Sequence, residues 1–236
     1  MRSFIVVTMF VASSAQAGWS DYEEVRDLDL DASGISELSI VAGAGSMDVI
    51  GVEGADSITV KATIVVPDES EEDALQIIEK RMRLSLEKDG DRAELNSEFK
   101  GGLMNFGSSG YIVLEVNVPQ GMAVNIDDGS GSIDVIDIVG DVTIDDGSGS
   151  IDVKNVANLK IDDGSGSIDV VTASGDVSIV DGSGSISVKH VAGSVTVDDG
   201  SGSIRVSDVE QDLTIVESGS GSVNFSDIRG TVDQET

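Results

Sequence analysis

The decapeptide IDDGSGSIDV occurs three times letter for letter, at Ile126–Val135, Ile144–Val153 and Ile161–Val170. Near-copies follow as VDGSGSISV, VDDGSGSIRV and ESGSGSVNF. The leading glycines of the repeated GSGS are Gly129, Gly147, Gly164, Gly182, Gly200 and Gly219, spaced 18, 17, 18, 18 and 19 residues apart. A recurrence this regular requires a fold in which one small unit is stacked many times.

Within each unit two short stretches alternate apolar and polar residues, the mark of a strand with one buried face. In the second copy the apolar positions are Ile151, Val153, Val156, Leu159 and Ile161; in the fourth they are Ile186, Val188, Val191, Val195 and Val197. The inward parity switches between Ile144 and Ile151, which places a turn at DGSGS, and it switches again around Val156. One unit therefore reads strand, corner, strand, corner. Two strands cannot bury their own face, but stacked units build continuous ladders of Ile and Val. The expected fold class is all-β: a single-stranded parallel β-helix, or β-solenoid, with about 18 residues per coil. The general crossover preference makes it right-handed. Six coils at about 4.8 Å each give a rod roughly 29 Å long. The 17-residue spacing locates a missing residue at Val156–Leu159, and the 19-residue spacing an extra one at Glu210–Asp212.

A degraded copy lies further upstream in LSIVAGAGSMDVIGVEGADSITV, with Leu38 and Ile40 before the corner and Met47, Val49 and Val52 after it. The repeat then breaks off at about residues 67–119, where one helix-hairpin insertion is expected. DESEEDALQIIEKRMR reads as a helix with Asp68 or Ser70 as N-cap. Its acids fall in the first turn and its bases in the last, matching the helix dipole, and Leu75, Ile78 and Met82 form its apolar face. LSLEKDGDRAEL reads as a hairpin turning at Asp89-Gly90. Lys100–Gly110 is a Gly-rich loop, and YIVLEVNVPQG leads back into the ladder. A helix at this end covers an otherwise open sheet edge.

Arg2, the apolar run FIVVTMFVA and the small-x-small Ala15-Gln16-Ala17 read as a signal peptide over residues 1–17, leaving residues 18–236 as a single solenoid domain. No later segment is long and apolar enough for a transmembrane helix in the mature chain. An exported chain without cysteine must be stabilised by packing alone. The formal charge of −30 repels nucleic acid and anionic headgroups and attracts divalent cations and basic partners. High charge with 3% aromatic residues is also the composition of disorder, but the regular Val/Ile alternation excludes that reading.

The order GAGSMDV, helix-hairpin insertion, VNVPQGMAVNI and serial DGSGSIDV corners resembles a family of bacterial β-strand-repeat proteins described as putative adhesins, a domain of unknown function. The resemblance runs from about Leu28 to Val232 and rests on the V-P-x-G lead-in followed by G-S-G-[S/D]-I corners. The second serine of each corner here often stands where the family carries an acid. The resemblance implies a parallel β-helix in an envelope or extracellular setting.

The acidic corners invite comparison with calcium-binding β-rolls, whose nine-residue unit also totals eighteen per coil. Aligning Gly129 and Gly131 with that motif puts Ile133 at the ligand position and Asp134 one place late, on the opposite face. The column before the glycine reads Asp128, Asp146, Asp163, Asp181, Asp199, Ser218 and suits Asx- or ST-turn closure. The column before that reads Asp127, Asp145, Asp162, Val180, Asp198, Glu217 and faces solvent. The plain reading of it is a solvated anionic face. The sharper one is loose Ca²⁺ binding between coils, with Asp127, Asp145, Asp162 and Asp198 as the candidate metal residues. Neither a cofactor nor a catalytic residue is expected. GSGS opens a strand and has no following Lys, which excludes a phosphate cradle, and His190 reads as a solvated turn residue. The functional expectation is a non-enzymatic exported module, binding or structural, in the periplasm or outside the cell. Its partner would be an envelope or extracellular protein or a glycan. The alternative is a carbohydrate-directed β-helix protein, either a polysaccharide binder or a lyase or hydrolase.

Overall fold

The structure, a computed structural model, describes residues 8–10, 21–100 and 110–234. The repeats fold as their alternation dictates. In each of the four coils from Val142 to Val209 a five-residue strand lies in one sheet, such as Val142–Asp146, Leu159–Asp163 or Val177–Asp181. After the glycine corner an eight-residue strand lies in a second sheet, such as Gly149–Val156, Gly166–Ala173 or Gly184–Val191. Pairing between coils is parallel and in register: Ile144 stands opposite Ile161, Ile161 opposite Ile179, Ile151 opposite Ile168, and Ile168 opposite Ile186. All ten apolar positions named above for the second and fourth copies are buried between the sheets. Each such side chain contributes about 1.5–3 kcal/mol relative to leaving it exposed.

Order along the stack departs from order along the chain. The coil of Glu37–Ala44 and Met47–Val52 lies directly on Ala123–Ile136, with Leu38 opposite Val124 and Met47 opposite Ile133. On its other side lie Arg92–Phe99 and Tyr111–Pro119, also parallel, with Leu38 opposite Ala93 and Val49 opposite Val116. The segment expected as an interruption thus supplies a further coil. Beyond that coil the pairing turns antiparallel. Ser57–Val66 pairs with Tyr111–Pro119, Tyr22–Asp31 with Ser57–Val66, and Met82–Asp89 with Arg92–Phe99. Antiparallel strands, of which only Met82–Asp89 and Arg92–Phe99 are joined by a short turn, finish this end of an otherwise parallel stack.

The hairpin turns after Asp89 as expected, with Gly90 at φ +66°. The helix, α1, spans Glu71–Arg81, and its N-cap Ser70 accepts the Asp73 backbone N–H at 3.2 Å. Its buried side chains are Ala74 and Ile78, one turn apart. Leu75, expected on that face, is 42% exposed, and Met82 starts the next strand. A short helix against a sheet edge buries only a narrow stripe, so a neighbour one position round turns outward.

The short spacing lies where expected: Val156 pairs with Ala173 but Leu159 with Val177, so this corner holds one residue fewer. The long spacing does not. Val197 pairs with Ile215, then Asp198 with Glu217, so the extra residue is Val216 in a bulge rather than one of Glu210–Asp212. A bulge absorbs one residue and leaves the ladder on either side intact. Two expectations lie largely outside the described residues. Of the signal peptide only the backbone of Thr8–Phe10 is described, antiparallel to Val25–Asp27, and residues 101–109 of the Gly-rich loop are not described.

Candidate functional site

Three columns of polar side chains run along the stack, each generated by one position of the repeat. The first is the corner aspartate. Its Oδ1 accepts the backbone N–H of the serine two residues on, at 3.3 Å for Asp146, 3.2 Å for Asp163, 3.0 Å for Asp181 and 2.9 Å for Asp199. This is the Asx turn that the alternation of Asp with Ser suggested. The position also shares inward parity with Val142 and Ile144, so Asp128, Asp146, Asp163, Asp181 and Asp199 are only 0–4% exposed. In the last four of these, Oδ2 is buried without a hydrogen-bond partner, and in Asp128 both oxygens are. Burial, reinforced by neighbouring carboxylates, pushes Asp128 and Asp181 up to about 6. It raises Asp146, Asp163 and Asp199 as well, against the lowering effect of their backbone hydrogen bonds.

The second column holds the candidate cation residues. Asp127 stands opposite Asp145, Asp145 opposite Asp162, Asp162 opposite Val180, and Val180 opposite Asp198. The structure brings them side by side along an outer face as a line, not around a point. Among the described residues no group of three or more His, Asp or Glu gathers as a metal would require.

The third column is longer than the sequence reveals. Asp134, Asp152 and Asp169 follow one another in register, and the line then runs through Ser187, Arg205 and Asn224. In the other direction Asp134 is met by Asp48, Asp48 by Glu115, and Glu115 by Lys61. Lys61 Nζ lies 2.5 Å from Glu115 Oε1, and on its other side Lys61 stands opposite Asp27. Burial first, then the flanking Asp152 and Asp48, raises the Asp134 carboxyl above its ordinary value. Asp48 and Glu115 could not be placed here from the repeat alone, because their coils stack out of chain order.

The second corner carries its own ladder. Asp137, Asn155, Thr172, His190, Asp208 and Asp227 all hold positive φ. Asn155 Nδ2 donates to Asp137 Oδ1 at 2.7 Å, and His190 Nδ1 lies 2.7 Å from Asp208 Oδ2 at an exposed site.

The outer carboxylates set up a prediction. Neighbours about 4.8 Å apart repel by roughly 0.9 kcal/mol even in water. Monovalent salt is therefore expected to stabilise the fold, and Ca²⁺ to add nothing beyond its ionic strength. Asp145→Asn with Asp162→Asn should raise the urea midpoint in low salt. Calorimetry showing saturable Ca²⁺ uptake that this pair of substitutions abolishes would contradict it.

Fold and columns together define the class: an acidic β-solenoid whose outer lines are dominated by aspartates repeated in register. The chain matches no protein-family model. It matches no curated protein. Among solved structures it is similar to a putative cell adhesion protein from Clostridium sporogenes, at 14% identity over 91% of this chain and 99% of that one, with a TM-score of 0.37. It is also similar to a putative adhesin from Parabacteroides distasonis, at 16% identity over 89% of this chain and 97% of that one, with a TM-score of 0.37. A likeness of this degree carries no inference about ligand or activity. No helix among the described residues is long and apolar enough to cross a membrane.

Proposed function

We propose that the chain is a non-enzymatic, exported binding or structural module of the bacterial envelope or its exterior, an adhesin-like solenoid. The observation that carries this reading is the in-register outer columns, in which like side chains recur at the strand spacing on a rigid core. Such an array suits many weak, equivalent contacts to a repetitive or extended partner, and multivalency turns these into firm attachment. Chemistry at one bond needs one distinctive constellation, whereas the side chains here come as repeats. The leader-like first 17 residues support export. The test is to fractionate the native host, sequence the N-terminus of the recovered chain, and measure its binding to isolated envelope polymers. A chain beginning at Gly18 in the periplasm or medium, retained on an envelope fraction, is expected. An uncut chain in the cytoplasm would overturn the reading.

A second reading, as a glycan binder, is favoured by one non-repeated feature. On the outer face of the antiparallel end, a depression of about 410 Å³ is lined by Asp27, Asp29, Thr59, Lys61, Glu115 and Asn117. Asn117 Nδ2 donates to Thr59 Oγ1 at 3.3 Å. Carboxylate, ammonium, amide and hydroxyl in one place form the donor and acceptor mix that sugar hydroxyls use. Loss of polysaccharide binding in Asp29→Asn with Lys61→Ala, the fold remaining intact, would favour this reading over the array.

A further inference from the structure

The inner carboxyls have no task in the reading above, and Asx-turn closure does not account for them. A corner needs one acceptor for the serine N–H, and Oδ1 supplies it. An asparagine would do the same without burying a charge. Instead five aspartates stand in one interior line, with Asp128 opposite Asp146, Asp146 opposite Asp163, Asp163 opposite Asp181, and Asp181 opposite Asp199. Each keeps at least one oxygen buried and unpartnered.

The charged groups facing them are acids. From the same strands come Asp127, Asp145, Asp162 and Asp198, and along the column come the other members themselves. Across the corner the neighbours are backbone glycines, Gly184 lying against Asp181 Oδ2. At one end the column meets Ala42, which is itself opposite Ser97. Buried like charges at strand spacing cannot all persist, so the folded state must neutralise some of them.

We propose that the inner carboxyls are proton-binding groups of the folded state, which makes the column a pH-sensitive clamp that tightens the stack of coils in acidic medium and loosens it as the medium rises to neutral pH. Each carboxylate takes one proton from solvent on an unbonded oxygen and loses its charge, while in Asp146, Asp163, Asp181 and Asp199 Oδ1 keeps the serine N–H. A carboxyl that titrates higher when folded binds more protons folded than unfolded. Its contribution is therefore complete below the unfolded value and is lost as pH rises through the folded one. Asp128 and Asp181, near 6 when folded against an ordinary 3.8, place that loss between about pH 4 and pH 7. Each should lower the folding constant about tenfold between pH 5 and pH 8. This is the reverse of ordinary acid denaturation, in which paired carboxylates are lost as pH falls.

The test is urea unfolding of the chain from pH 5 to pH 8 at fixed ionic strength, beside Asp181→Asn and Asp128→Asn. The parent midpoint should fall as pH rises. Each asparagine should raise the midpoint at pH 8 and flatten the slope, whereas Asp162→Asn on the outer face should flatten it far less. Infrared spectroscopy of the parent should show protonated carboxyl absorption at pH 6 that fades by pH 8, which tests the proposal even if a variant fails to fold. A parent midpoint that is level or rises with pH would overturn it, as would slopes unchanged in both inner variants or an infrared spectrum free of protonated carboxyl at pH 6. So would Ca²⁺ restoring the pH 8 midpoint at matched ionic strength in the parent but not in Asp181→Asn, since the neutralising ligand would then be a metal.

Discussion

Gly166→Ala is expected to cost more than about 4 kcal/mol, enough to unfold a domain of ordinary stability. Gly166 holds φ +154°, and a Cβ built there falls 1.5 Å from the carbonyl oxygen of Gly149 and 2.6 Å from its carbonyl carbon. Those atoms belong to the backbone of the next coil, so no side-chain rotation relieves the clash. The corner cannot open either, because ladders on both sides of it fix the distance between coils. The same approach recurs at Gly149 on Gly131, Gly184 on Gly166 and Gly202 on Gly184, so the second glycine of GSGS is required by stacking. Gly121→Ala is the matched control. A Cβ there meets nothing within 4 Å, and the substitution should fall within about 0.5 kcal/mol of neutral. Urea melts giving Gly166→Ala less than about 1 kcal/mol would contradict this account of the corner.

The next largest effect is expected in the ladders. Ile151 is fully buried and stands between Ile133 and Ile168, and Val188 between Val170 and Val206. Truncating either to alanine removes transfer energy and leaves a cavity that flanking coils, held by their own hydrogen bonds, fill poorly. Ile151→Ala or Val188→Ala should cost about 2–4 kcal/mol, the valine nearer the lower figure. Values below about 0.5 kcal/mol at both positions would contradict the inward assignment.

The repeat region was legible because its information is local. Alternation sets the strands, parity changes set the corners, and identical copies set the register. The antiparallel end was less so, since its pairings join residues far apart in the chain, as Asp27 with Lys61 and Lys61 with Glu115. Nothing periodic within Tyr22–Val66 announces that the coil of Arg92–Pro119 will lie outside that of Glu37–Val52. Val216 was misplaced for a related reason, because a bulge in a strand and a longer corner give the same glycine spacing. The inner aspartates were half read. Their turn role followed from the exchange of Asp with Ser. Their burial is written in the i, i+2 parity of Val142, Ile144 and Asp146, which turn closure alone does not state. The outer column was placed on the solvent face by the same parity, where Asp145 and Asp162 are exposed.

Removal of one whole coil is the most direct measurement of the central claim, that eighteen residues closed by a glycine corner form one interchangeable layer. Deleting Gly164–Asp181 joins Asp163 to Gly182, so the corner sequence and both strand parities are preserved. Deleting the first nine of these residues, 164–172, removes the corner and breaks the parity. The shorter solenoid should keep its β circular dichroism and a single cooperative urea transition, while the nine-residue deletion should have neither. Equal loss of structure in the two deletions would contradict the account.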